Sequence, residues 1–309
     1  MKNDTYLNDV IFDNQEGNLK RLPKEFAYRK IILDNYKVFD RNSPQLIIWA
    51  IYDSKFTIKD FESIVTCKKP DILMSLLTLK KNLSPELFDN IKSKIFWEKN
   101  VTDKDIELII RWCKKNGYPF APDKEKHYKN QSKNRKRLQK GHSELQTDCV
   151  RVDLEIYDFI KRLNDIYSLF LIYQSLLGFE PDFGTATISY NENNLEKFVA
   201  LKDISKGEYK EILENKYQEI NLISKISVNN GVHIETMVND LFDAAFYQLA
   251  MLMDEPNKEI RICPLCNQYF EIEDARQKYC HNKNKNGKKT CYPQKMYKRN
   301  RESKKVNIN

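Results

Sequence analysis

Glycine is scarce in this chain, with eight among 309 residues, and none of them builds a phosphate-cradling loop. A nucleophile elbow and an H-E-x-x-H pair are missing too, so the common nucleotide-dependent, hydrolase and zinc-protease motifs are excluded. Histidine is as rare, with four residues, and His127 and His233 have no recognisable partner in the sequence. Long apolar runs are absent. No stretch approaches the roughly 18 residues that suggest a spanning helix, and the opening MKNDTYLNDVIFDNQEG lacks the basic region, apolar run and cleavage site of a secretory leader. A soluble, cytoplasmic protein with no membrane partner is expected. Outside the C-terminal quarter cysteine is limited to Cys67, Cys113 and Cys149, scattered and odd in number, which fits a reducing compartment better than a disulfide framework. Disorder throughout is excluded by a hydrophobic content of 41%, enough for real cores.

What the chain does have is concentrated between Cys263 and Lys305. Cys263 and Cys266 are spaced C-x2-C, thirteen residues lead to Cys280 and ten more to Cys291. Four thiolates close a tetrahedral zinc site, and the C-x2-C pair lets two of them point at one ion from a tight turn stiffened by Pro264. Zinc is the expected cofactor. The ten-residue gap before Cys291 is longer than usual ligand spacing, so His281 is an alternative to Cys280 or Cys291 as the fourth ligand. With four protein ligands and no open position, such a site is structural rather than catalytic. Tyr269, Phe270 and Ile272 alternate with polar residues, and Asp274-Ala275 offers a turn back through Arg276 to Tyr279, which predicts a short hairpin between the ligand pairs. Pro293 after Cys291 predicts that the last ligand opens a helix. Knuckle, hairpin and helix together predict a treble-clef or zinc-ribbon-like module.

The order Cys263-x2-Cys266, Phe270, Arg276, Tyr279 directly before Cys280, then Cys291 and a Lys/Arg-rich run resembles the CGNR-type zinc finger at the C-terminus of bacterial putative transcription regulators. The resemblance covers about 60 residues and implies a largely helical region in front of the finger and a role in regulation. Here Cys291 is followed by Tyr292-Pro293-Gln294 instead of Gly-Asn-Arg. DNA contacts made by that tripeptide therefore do not transfer. The Lys- and Asn-rich composition also suits an AT-rich bacterial or phage genome.

Net charge is +8, and it is unevenly placed. From Arg276 to Lys305 twelve Lys/Arg face Glu302 alone, so this segment carries +11 and the remainder sums to −3. Lys295, Lys298, Arg299, Arg301, Lys304 and Lys305 fall within eleven residues, and a helix so charged repels itself unless an anion is bound. Phosphate is the natural anion. Arg276, Lys288 and Lys289 extend the patch, and nucleic acid is the expected partner, DNA ahead of RNA.

Ahead of this module the sequence predicts a mainly α protein. Ser43-Pro44 precedes Leu46, Ile47, Ile48, Trp49 and Ile51; Thr57 with Asp60 and Thr102 with Asp105 read as capping boxes; Pro70 and Ser84-Pro85-Glu86 open further helices; Gly117 closes the last. These predict an N-terminal helical domain over residues 1–117, a candidate surface for a protein partner. Residues 118–148, with the basic cluster from Lys124 to His142, read as a linker. A second helical domain is expected over 149–258, from helices at Arg151 to Gly178, Ser205 to Ile226 and Ile234 to Met253, with a strand at Thr185 to Tyr190. The zinc module takes 259–309.

Two other functional classes fit parts of this pattern. Arg137-x4-His142 matches the loose Arg-x4-6-His signature of HEPN-type ribonucleases, in which Arg stabilises phosphate charge and His handles a proton; Arg276-x4-His281 matches the same spacing. A zinc-stabilised adaptor docking an acidic protein is the other. No catalytic residue is assigned.

Overall fold

The computed structural model describes residues 26–38, 46–53, 55–67, 69–89, 91, 100–121, 126–128, 149–192, 195–205, 207–218, 220, 222–227, 233–254, 259–266, 268–272, 276–280 and 291. Among them the chain is mixed α/β, which overturns the mainly α expectation. Six α-helices run α1 (Asp71–Asn82), α2 (Glu86–Asp89), α3 (Asp103–Asn116), α4 (Ile156–Leu176), α5 (Tyr209–Gln218) and α6 (Leu241–Asp254). The strands are β1 (Phe26–Ile31), β2 (Asn35–Val38), β3 (Ile47–Asp53), β4 (Glu62–Cys67), β5 (Lys126–Tyr128), β6 (Cys149–Glu155), β7 (Thr187–Glu192), β8 (Leu195–Ala200), β9 (Leu222–Ser227), β10 (His233–Val238), β11 (Ile260–Ile262) and β12 (Tyr269–Glu271). The chain divides into two compact units, Met1–Met251 and Leu252–Asn309.

The first unit holds two four-stranded sheets and a hairpin. One sheet has the order β4-β1-β10-β9, with β1 and β10 parallel and its other pairs antiparallel. The second, β2-β3-β6-β5, is antiparallel throughout, and β7 pairs with β8 alone. Four helix expectations fail here in whole or in part. The Ile47–Tyr52 run is apolar without a break because β3 is a central strand buried from Ile48 to Tyr52, and such a run carries no period. At Val150, Val152 and Leu154 the buried residues alternate in β6, and the period changes to that of a helix at Ile156 without any intervening loop. The expected helix from Ile234 likewise begins as strand β10 and becomes helical at Leu241, while the one from Ser205 to Ile226 stops at Gln218 and ends in β9.

Helix α4 is the core of this unit. Fourteen of its 21 residues are buried, and it packs against α1, α2, β6 and β7. Trp112 and Phe242 each meet Phe159 edge-on, with centroids 5.7 and 5.2 Å away. Its end matches the expected stop: Gly178 has φ of +87°, and Phe179 N donates to Gln174 O at 3.1 Å. Gly117 caps α3 with φ of +116°, and a Cβ there would lie 3.0 Å from Ile31 O. That close approach lets Tyr118 N donate to Ile31 O at 2.7 Å, joining the end of α3 to β1.

Local capping chemistry fixes α3 at its other end. Thr102 and Asp105 form the expected capping box, and the Asp105 carboxylate also accepts from Ser84 N at 2.9 Å and Ser84 Oγ at 3.0 Å. Burial pushes its carboxyl up, but the Thr102 and Ser84 donors outweigh burial and hold its pKa below the ordinary carboxylate value. A depressed folded-state pKa contributes stability above the unfolded value of about 3.9 and loses it as pH falls through the folded one. Asp105→Ala is expected to cost about 2–3 kcal/mol at pH 7, and the gap from the parent should close during acid titration. Urea denaturation at pH 7 and pH 3 checks this. Thr57 also forms a capping box with Asp60, but its single 3-10 turn, Ile58–Phe61, leads into strand β4 rather than an α-helix.

Candidate metal centre

In the second unit, β11 and β12 pair antiparallel with Ile260 opposite Glu271, Arg261 opposite Phe270 and Ile262 opposite Tyr269. The hairpin therefore brackets the C-x2-C pair. The sequence placed it after Cys266, folding back through Asp274-Ala275; Ile260 and Ile262, ahead of the first cysteine, supply its other strand instead. The connection is closed by Cys263 N donating to Gln268 O at 2.9 Å, and the open end of the hairpin by Ile272 N donating to Glu259 O at 2.9 Å. Arg261 braces the base. Its Nε and Nη2 form a fork on the two Glu259 carboxylate oxygens at 2.7 and 2.8 Å, while Nη1 reaches Gln277 O at 3.5 Å.

This scaffold gathers four sulfurs. The Sγ atoms of Cys263, Cys266, Cys280 and Cys291 all lie within 4.8 Å of one another, with Cys280 Sγ 3.4 Å from both Cys266 Sγ and Cys291 Sγ. A tetrahedral zinc with Zn–S bonds of about 2.3 Å requires sulfurs roughly 3.8 Å apart, so the donor set fits that ion in both number and spacing. No disulfide joins these cysteines. Cys263, Cys280 and Cys291 are at most 3% exposed and pack with Phe270, Ile272 and Tyr279, whereas Cys266 is exposed. The second unit's apolar cluster and its ligand set are thus largely the same residues.

Electrostatics favour a thiolate here. Burial pushes the Cys263 thiol up, but backbone N–H groups of Cys280, Cys266 and Leu265 point at its sulfur and hold its pKa down to about 6. Cys266 moves the other way, raised by burial and by its hydrogen-bonded neighbours Cys291 and Cys263. Among four crowded sulfurs the negative charge is shared unevenly until a cation supplies the opposite charge.

The sequence-derived residues are reached unequally. Arg276 is exposed beside the cluster in the chain. The other expected nucleic-acid contacts, Lys288, Lys289, Lys295, Lys298, Arg299, Arg301, Lys304 and Lys305, lie outside the described residues, as do His281, Arg137 and His142.

Two polar clusters escape sequence reasoning, both in the first unit. Lys216 Nζ lies 3.0 Å from Asp165 Oδ2, and Ser189 donates to Asp165 through its N–H at 2.9 Å and its hydroxyl at 2.6 Å. Arg162 donates to Asp240 at 2.8 Å and Asp243 at 2.6 Å, with Phe242 stacked beneath its guanidinium. The first cluster is sealed, all three residues being at most 7% exposed. It serves as an internal clamp between α4, α5 and β7. Among the described residues no helix is long and apolar enough to cross a membrane. Compared with protein-family models, with curated proteins and with solved structures, the chain has no significant match.

Proposed function

We propose that the segment from Cys263 to Lys305 is a zinc-held nucleic-acid-binding module with a regulatory role, DNA being the expected partner ahead of RNA. The observation carrying this reading is the four-sulfur cluster within 4.8 Å, two of whose members, Cys280 and Cys291, lie in the Arg276–Lys305 segment that holds +11 of the charge. Lys288 and Lys289 stand between the third and fourth ligands, and Lys295 follows the fourth by four residues. A metal bound by Cys263, Cys266, Cys280 and Cys291 would anchor the chain that carries these cations at Cys280 and Cys291. When bound, the ion cross-links the chain; it has no open position for substrate. Arg276, exposed just ahead of Cys280, adds a donor suited to phosphate. The order of ligands and aromatics shared with the CGNR-type finger supports the choice of DNA, without the Gly-Asn-Arg contacts.

The test is a salt-dependent titration of the zinc-loaded protein with duplex DNA and with single-stranded RNA, beside a copy truncated after Asp254. With five phosphate contacts, log K for duplex DNA is expected to fall against log salt with a slope of about −4.5, and the truncated copy should not bind. Failure of both nucleic acids to bind at low salt would refute the reading in favour of an acidic-protein adaptor. Cleavage of the RNA would replace it with a nuclease.

A further inference from the structure

The four sulfurs of the C-terminal unit are not equivalent. Cys263, Cys280 and Cys291 are 0, 1 and 3% exposed, while Cys266 faces solvent at the tip of the hairpin beside Leu265, itself 42% exposed. Cys280 Sγ, 3.4 Å from Cys266 Sγ, is in van der Waals contact with it. A disulfide needs about 2.05 Å, so the two sulfurs must close by roughly 1.4 Å, a shift within reach of side-chain rotation.

We propose that Cys266 is an oxidation site at which a small hydroperoxide enters the cluster, and that Cys280 resolves the product into a Cys266–Cys280 disulfide. In the first step the Cys266 thiolate attacks one peroxide oxygen, the O–O bond breaks and hydroxide leaves, giving a sulfenic acid at Cys266. The Cys280 thiolate then attacks that sulfur; the S–O bond breaks, the S–S bond forms and a second hydroxide leaves. Two thiolates are oxidised by two electrons, one peroxide is reduced, and two protons from solvent convert the hydroxides to water. Only Cys263 and Cys291 then remain as thiolate ligands, too few for a closed zinc site.

Burial and spacing set the selectivity. Cys280 and Cys291 are equally close at 3.4 Å, but neither sulfur is open to an oxidant. Elsewhere Cys67 is buried and accepts from Gln248 Nε2 at 2.9 Å, and Cys113 is fully buried. Both thiols are thereby shielded from an oxidant, whereas Cys266 is exposed. The coupling of oxidation to metal release rests on the zinc reading above; the choice of disulfide does not.

The experiment treats full-length, zinc-loaded protein with one equivalent of hydrogen peroxide, blocks free thiols, and maps disulfides by peptide mass spectrometry while a chromophoric chelator reports released zinc. The expected result is a Cys266–Cys280 cross-link as the first product, with one zinc released per cross-link. A dominant Cys280–Cys291 link, or oxidation at Cys67 or Cys113 with zinc retained, would overturn the proposal. Cys266→His keeps a metal ligand that cannot form a disulfide and should slow peroxide-driven zinc release at least tenfold; release at the parent rate would also overturn it. Zinc content before oxidation separates the two readings. A chain that carries no metal yet still forms the Cys266–Cys280 link loses the zinc reading and keeps the oxidation site.

Discussion

Cys263→Ser is expected to abolish tight zinc binding and to unfold the C-terminal unit while leaving the first unit folded. The size of this effect follows from what the unit has to hold it together. Its strands are three residues each, and its buried cluster is three ligand cysteines with Phe270, Ile272 and the partly buried Tyr279. So small a core does not offset the ordering of a chain of this length. Structural zinc in small modules contributes about 10–16 kcal/mol of apparent binding energy, and that energy is folding energy. Cys263 is the sensitive position because its sulfur is fully buried and receives the backbone donors of the hairpin turn. Limited proteolysis should show cleavage confined to residues after Met251 in the variant, and the same pattern in the parent treated with a strong chelator.

The second large effect lies in the first unit. Lys216→Met alone is expected to cost about 3–5 kcal/mol, the usual result of stranding one partner of a buried ion pair. The side chains of Lys216 and Asp165 are only 7 and 4% exposed, so water cannot replace the lost ammonium. Asp165→Leu with Lys216→Met should cost far less than the two single changes added together, since no buried charge is left. Ser189, whose N–H and hydroxyl both lose their acceptor in that pair, accounts for the residual loss. Denaturant titration of the two single variants and the double one measures the coupling directly. Additive losses would show that the pair is not acting as a unit. Total stability of a domain is about 5–15 kcal/mol, so either single variant should be visibly weakened at 37 °C.

The four-cysteine group and the helix ends were legible in the sequence because their signals are local. C-x2-C places two donors on one turn whatever the rest of the chain does, and Thr102 with Asp105, Pro70 and Gly117 mark helix ends within a few residues of themselves. Most strands gave no such signal, although the strand expected at Thr185 to Tyr190 is found as β7, Thr187–Glu192. β1 pairs in parallel with β10, joining Ala27 to Met237 and Tyr28 to Val238, and no pattern near residue 27 specifies a partner so distant. β6 and α4 are contiguous at Glu155 and Ile156, so a ten-residue window averages a period of two with one of 3.6 and reads as helix. The buried Lys216 was indistinguishable from the other 51 basic residues, because its partner Asp165 is 51 positions away.

The C-terminal hairpin shows the same division. Tyr269, Phe270 and Ile272 correctly indicated a strand, but its partner was sought downstream. Ile260–Ile262 is only three residues long, too short for alternation to stand out. The knuckle consequently sits inside the hairpin connection, which is what brings Cys263 and Cys266 back towards Cys280 and Cys291.

The central claim is that four cysteines hold one zinc ion in this chain. It is tested most directly by measuring metal content on full-length protein dialysed against metal-free buffer, with Cys263→Ser alongside, using mass spectrometry of the elements. The account predicts one zinc per parent chain and less than a tenth of that in the variant. Parent protein without metal, or a variant that keeps its zinc, would contradict it.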